Sequence, residues 1–387
     1  MLLTTAFFNL FLPSVPNKNT ASTYHDQTQC KSDSGVYSLA LSPDDNYVAA
    51  QWGADTAKLW DRKSGQLLHT FSVELDPDLS QVIFSPDSKR ILTGSSNYAV
   101  LWDIRTGAKL QTFPPAGSNI EDYVRTYVAF TPDSKYVFTG GNKGATKWDA
   151  QTGAKVNVFP GTLANTGDQH IQISANGKYL LTHSDRWELW DIKTAHRLFS
   201  FPRTNTDVKN HWFLDESASF SPDSKLVLIN ARVGFSVWRT DNYQRVAVLD
   251  TEEAIRYWYF SPNSRYLATF SFNGGPLQET ALWDLSTNQK LHVFHPGHNL
   301  VGPFAFTPDS KALWIGTDID KDAEETTQIG VWDIAESKMS TIFILDQFGV
   351  EGESPFTHDG KYWLTTDAPG RLQMRETETA KRVTLYC

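Results

Sequence analysis

Cysteine is nearly absent from this chain: Cys30 and Cys387 are the only two in 387 residues. No knot of cysteine and histidine is available to hold a metal, and neither a phosphate-cradling glycine loop nor a nucleophile elbow can be found. The sequence therefore calls for no cofactor and offers no assignable catalytic residue. No apolar run approaches the ~20 residues that a membrane-spanning helix needs. Positive charge is in short supply, with 35 Lys and Arg against 44 Asp and Glu, a net charge of -9 and a pI near 5.6. That balance argues against a nucleic-acid partner, which would demand a basic stripe.

What the chain does have is a beat. A strand-like apolar run ends in a Ser-Pro-Asp-Ser corner or a variant of it, with prolines at Pro43, Pro86, Pro132, Pro222, Pro262 and Pro308 and with Ala175 and His358 in the fourth and eighth places. A tryptophan follows at Trp60, Trp102, Trp148, Trp190, Trp238, Trp283 and Trp332, and Met374 stands eighth, in steps of 42 to 49 residues. Self-similarity at that period indicates a propeller or solenoid array. Inside a repeat the pattern alternates with period two: Val82-Ile83-Phe84, the Ser85-Pro86-Asp87-Ser88 corner, Arg90 to Gly94, Asn97-Tyr98, then Ala99 to Asp103. Such runs read as strands and the corners as turns, so each repeat is a four-stranded antiparallel meander with strands a, b, c and d.

These residues resemble the WD-repeat (WD40) family, in which each repeat supplies one blade of a β-propeller. The Trp-Asp pair occurs six times, at Trp60-Asp61, Trp102-Asp103, Trp148-Asp149, Trp190-Asp191, Trp283-Asp284 and Trp332-Asp333. The resemblance covers residues 31 to 387 and implies an all-β propeller of eight blades, with seven as the alternative because the last repeat has lost both Pro and Trp. It also implies a rigid platform that gathers protein partners without catalysis. The Gly-His pair that opens a family repeat occurs only as Gly297-His298, so packing is expected to replace most of the family's buried His-Ser-Asp-Trp network. Aromatic content is high at 13%, with 13 Trp and 23 Phe, which suits blades whose faces are buried against each other.

Residues 1–30 precede the repeats. Their apolar run from Met1 to Val15 has the length of a signal-peptide core, but no Lys or Arg stands before it, which favours an ordinary N-terminal arm and a cytoplasmic chain over an exported one. A closed ring would bring Cys30 and Cys387 near each other. A disulfide between them or two unpaired thiols both remain open, according to the redox compartment.

The a–b and c–d corners share one face of such a ring, and the b–c corners and d–a links share the other. Both long Pro-to-Trp spacings, 21 from Pro262 and 24 from Pro308, place their extra residues between strands b and c. Insertions on a rigid scaffold often carry recognition. Counting back from the corner prolines places Arg125, Tyr127, Asp168, His170, Asp215, Tyr257, Glu351 and Glu353 at the channel mouth on this face, a polar and mostly acidic set suited to a basic peptide segment. Trp212, in a long d–a link, is the candidate exposed anchor. The expected function is thus a non-enzymatic scaffold, monomeric on its own, binding protein or peptide partners on the b–c and d–a face. The alternative is a channel-sited enzyme or small-ligand binder, with Arg125, Asp168 and His170 as its least implausible group.

Overall fold

The computed structural model describes residues 36–386 apart from the connectors 53–55, 73–80, 96–97, 115–126, 142–143, 162–170, 184–185, 203–217, 231–234, 250–254, 272–279, 295–304, 319–326, 346–355 and 367–371. The chain divides into two units, Met1–Lys31 and Ser32–Cys387, and every described residue lies in the second.

Among the described residues there is no helix, only strands and turns. The first blade takes its strands a to d from Val36–Leu41, Tyr47–Trp52, Thr56–Asp61 and Leu67–Ser72. Six further sheets repeat that a-b-c-d order, and an eighth has three strands, Tyr362–Thr366, Leu372–Glu376 and Arg382–Tyr386, with Phe356 bridging to Trp363 where strand a belongs. Eight sheets make eight blades, so the seven-bladed alternative is set aside. The last blade supplies its own outer strand, Arg382–Tyr386. Strands a of several neighbouring blades lie against one another, which makes them the inner strands of the ring.

Each blade is sheared in the same place. The c–d ladder slips by one residue at the Trp position in all eight sheets, at Leu59/Trp60 in the first and Met374/Arg375 in the last, which puts Arg375 rather than Met374 in the eighth Trp place. A bulge of this kind adds twist. The tryptophan then meets an aromatic residue at the end of strand d in the preceding blade: Phe71 with Trp102 at 5.1 Å, Phe113 with Trp148 at 5.8 Å, Phe159 with Trp190 at 6.0 Å, Phe201 with Trp238 at 5.6 Å and Phe294 with Trp332 at 4.9 Å between ring centroids. Tyr386 completes the circle against Trp60 at 6.0 Å. The core is therefore a chain of clusters, most of them shared by two neighbouring blades.

Beside that packing, part of a buried polar network is kept. The indole N–H of Trp102, Trp148, Trp190 and Trp283 donates to a strand-b threonine, Thr93, Thr139, Thr182 and Thr269, at 2.8–3.0 Å. Where strand b carries Ile315 instead, the buried Nε1 of Trp332 has no hydrogen-bond partner among the described residues.

Candidate interaction surfaces

The a–b corners are built alike. In Ser85-Pro86-Asp87-Ser88 the Ser85 amide donates to the Arg90 carbonyl, the Ser85 hydroxyl accepts the Arg90 amide at 3.0 Å, and Asp87 accepts the Lys89 amide at 3.1 Å. Proline suits the second place because its fixed φ forms the corner and no N–H is needed there. The fourth residue has positive φ in every corner: Asp45, Ser88, Ser134, Ser224, Ser264 and Ser310 lie between 56° and 62°, and Gly177 and Gly360 at 69° and 68°.

These bonds alone would make a turn, yet the fourth-place serines reach further. The Ser88 hydroxyl accepts the Asp44 amide of the preceding blade at 3.1 Å, and Ser134, Ser224, Ser264 and Ser310 accept the amides of Asp87, Asn176, Asp223 and Asn263 at 2.9–3.0 Å. Where glycine takes the fourth place no such acceptor exists. At the junction of blades 8 and 1 the serine is Asp45 and the proline is His358, and the Asp45 carboxylate takes both the His358 amide, at 3.0 Å, and the ring Nδ1, at 3.0 Å. Side-chain bonds thus join neighbouring corners at six junctions of this face, with gaps where Gly177 and Gly360 stand, and an aspartate and a histidine make the junction of blades 8 and 1. In the sequence His358 stands out only as a lost proline; the further signal is that the first corner departs from serine where the last departs from proline.

The c–d corners share the face, since in each blade an amide just after strand c donates to an a–b corner carbonyl, as Arg62 to Asn46 at 2.9 Å and Ile104 to Lys89 at 3.0 Å. The aspartate of each Trp-Asp pair works here as a local cap. The Ser64 amide and hydroxyl bonded to Asp61 hold its carboxyl below the usual range, and the Thr106 hydroxyl and Thr152 amide do the same for Asp103 and Asp149. Blade 8 adds a clasp to blade 1: the buried Tyr386 hydroxyl donates to the Arg62 carbonyl at 3.0 Å, and the Arg62 guanidinium stands 5.4 Å over the Tyr362 ring. Burial pushes the Tyr386 phenol well above its ordinary value.

A cleft of about 350 Å³ opens among the inner strands and corners of blades 1, 6, 7 and 8, walled by Leu39, Leu41, Pro262, Phe306 and Phe356 with His358 among its lining residues. It has the apolar wall and sparse polar groups of a small-ligand pocket but gathers no acid, base and nucleophile together. Among the described residues no three His, Cys, Asp or Glu side chains are placed to hold a metal. No helix among them is long and apolar enough to cross a membrane.

Of the expected site residues, only Tyr127 is described in full: it is half-buried on the inner strand of blade 3, packed against the cluster shared with blade 4. Tyr257 lies on the inner strand of blade 6, Ile255–Phe260, its side chain not described. Arg125, Asp168, His170, Trp212, Asp215, Glu351 and Glu353 lie outside the described residues, as do Cys30 and Cys387. Gln81 marks the inner edge, its Oε1 accepting the Val128 amide of the next blade at 3.4 Å.

Residues 23–61 and 65–103 match the family model of the WD domain, G-beta repeat. An uncharacterised WD repeat-containing protein of Synechocystis sp. is 38% identical over 61 residues, a match that spans 16% of this chain and only 17% of that relative. The solved structure of dihydro-heme d1 dehydrogenase NirN in complex with DHE is similar in fold, with a TM-score of 0.63 at 17% identity, covering 81% of this chain and 67% of that one. With the corner and the c–d bulge carried round the ring, the chain folds as an eight-bladed β-propeller, and its first two repeats are similar to the WD domain, G-beta repeat.

Proposed function

We propose that this propeller is a non-enzymatic scaffold that gathers protein partners through the face carrying the b–c and d–a connectors. The carrying observation is the contrast between the two ends of the blades. At the corner end the same four-residue grammar recurs in every blade, and its polar atoms are largely spent on holding corners and neighbours together. A surface written that way for folding has little left over for telling partners apart. At the other end length varies freely, and blade 7 extends its b–c hairpin to the pair Asp318 and Thr327 on strands of seven residues, Ala312–Asp318 and Thr327–Asp333. Recognition commonly sits where a rigid scaffold tolerates such variation.

Charge supports a basic partner segment. The connectors between described strands hold 23 Asp and Glu against 7 Lys and Arg, whereas the chain as a whole is only -9. A field of one sign draws in and orients a ligand of the other. Within this reading Arg125, Tyr127, Asp168, His170, Asp215, Tyr257, Glu351 and Glu353 line the channel mouth and Trp212 supplies an anchor. The test is to exchange Arg125, His170 and Trp212 singly for alanine, and to follow both the partners captured by the full chain and turnover of candidate substrates. Loss of a partner that the parent protein retains, with no turnover in either, supports the scaffold. A saturable activity abolished in His170→Ala would replace it with a channel-sited enzyme.

A further inference from the structure

The corner face is repetitive in shape but not in charge. In blades 5 to 8 a cation from each blade meets a carboxylate: Lys225 with Asp223 at 3.3 Å, Arg239 with Asp241 at 2.7 Å, Arg265 with Asp284 at 2.8 Å, Lys311 with Asp309 at 3.5 Å, Lys361 with Asp359 at 3.6 Å, and Lys338 with Glu336. Blades 2 to 4 also carry one pair each, Arg90 with Asp87 at 3.5 Å, Lys135 with Asp133 at 4.0 Å and Arg197 with Glu188 at 2.6 Å, but they hold six further exposed cations, Lys89, Arg105, Lys109, Lys155, Lys178 and Lys193, that make no salt bridge within 4.0 Å among the described residues. The carboxylates beside them are turned to another use. Asp103, Asp149 and Asp191 each accept the amide of a threonine three residues on, at 2.7 Å, and that threonine's hydroxyl as well.

Counted over the a–b and c–d corners through the first residue of strand d, blades 2 to 4 hold nine Lys and Arg against five Asp. The same segments of blades 5 to 8 hold nine against nine. Positive charge is therefore concentrated in one sector of one face of a protein that is negative overall. Beside it, on the outer strands of blades 2 and 3, Leu110, Val156 and Val158 are exposed by 43%, 44% and 47%.

We propose that the corner surface of blades 2 to 4 is a second docking surface, which takes an acidic polypeptide segment of a partner protein. Its carboxylates would meet the unpaired cations, and its apolar side chains would cover Leu110, Val156 and Val158. A polypeptide fits better than a long polyanion or an anionic bilayer. Salt screens the sector's field within about 8 Å, so a ligand has to sit inside the sector to feel it, and an extended anionic body would also meet the negative remainder of the molecule. This surface is separate from the connector face, so either reading can fail alone.

The test is fluorescence anisotropy of a labelled Glu-rich peptide carrying leucines, titrated with the full chain. The triple variant Lys89→Gln/Lys109→Gln/Lys178→Gln should weaken binding roughly tenfold, the effect of removing three surface ion pairs at once. The control triple Lys225→Gln/Lys311→Gln/Lys361→Gln should bind as the parent does, and added salt should weaken the parent most. Both triples keep the corner backbone and aspartates, and circular dichroism checks that they fold. No binding by the parent, equal weakening by the two triples, or tighter binding to phosphatidylserine vesicles than to the peptide would each overturn the proposal. Trp212→Ala should leave this peptide's affinity unchanged, which separates the two surfaces.

Discussion

A serine with positive φ is an unusual choice, because an L side chain in that region crowds its own backbone and glycine would sit there more easily. Five corners of this propeller keep serine there all the same, and the reason is the hydroxyl that reaches a corner amide of the preceding blade. Ser134→Ala leaves the Asp87 amide without that acceptor and keeps the strained backbone; the expected loss is about 1 kcal/mol, read from urea denaturation. Gly177→Ser tests the converse. A Cβ at Gly177 would come no nearer than 3.4 Å to Pro132, an ordinary contact, so the new hydroxyl can serve the Asp133 amide and offset the backbone cost. Stability should change by less than about 0.5 kcal/mol, where Gly177→Ala, with no hydroxyl, should lose about 1 kcal/mol.

Acid sensitivity also belongs to single residues. A carboxyl held below its unfolded value stabilises the fold at every pH above that value, and the contribution disappears as pH falls through the folded-state value. Asp61, Asp103, Asp149 and Asp359 are all held low, by hydrogen bonds from Ser64, Thr106, Thr152 and Thr357 first of all. Stability should therefore be level above pH 5 or so and fall below about pH 4. Asp103→Asn/Asp149→Asn should flatten that acid limb, and denaturation midpoints at several pH values would show it.

At the scale of the blade, the meander and the recurring tryptophan were legible from the sequence, because strand alternation and turn chemistry are local and recur in every repeat; the bulge at the tryptophan was not. The use of the tryptophan was only half legible. Its indole needs a threonine on strand b, and the match of Trp148 with Thr139 or Trp102 with Thr93 depends on register. Thr139→Val keeps the volume and leaves the Trp148 N–H unmet, which should cost about 1–2 kcal/mol. Ile315→Thr in blade 7 gives Trp332 the partner it lacks but removes buried apolar surface. The same change at Leu313, whose register places it opposite Trp332 without offering an acceptor position used elsewhere, should be the more damaging of the two in thermal unfolding.

The whole ring is held at its last junction by side chains rather than by a shared strand. Trp60, Tyr386 and Met374 form one buried cluster across it, the Tyr386 hydroxyl reaches the Arg62 carbonyl, and His358 reaches Asp45. Tyr386→Phe should cost about 1 kcal/mol through the lost bond, and Tyr386→Ala roughly 3–5 kcal/mol through the cavity. A double-mutant cycle on Asp45→Ala and His358→Ala should show coupling, whereas Asp45→Ala with Lys225→Ala, on a distant blade, should add. Calorimetry of the single and double variants measures both.

The repeats by themselves determined the all-β class and the antiparallel meander, and left the count between eight blades and seven, since each rests on apolar periodicity and turn residues that act within a few positions of one another. Only the tertiary structure decided which serine meets which amide some 41 to 48 residues away, that a histidine and an aspartate join the last blade to the first, and that one sector carries more cations than its carboxylates pair. These are relations between neighbouring blades, and a neighbour in space is fixed by packing round the ring rather than by distance along the chain.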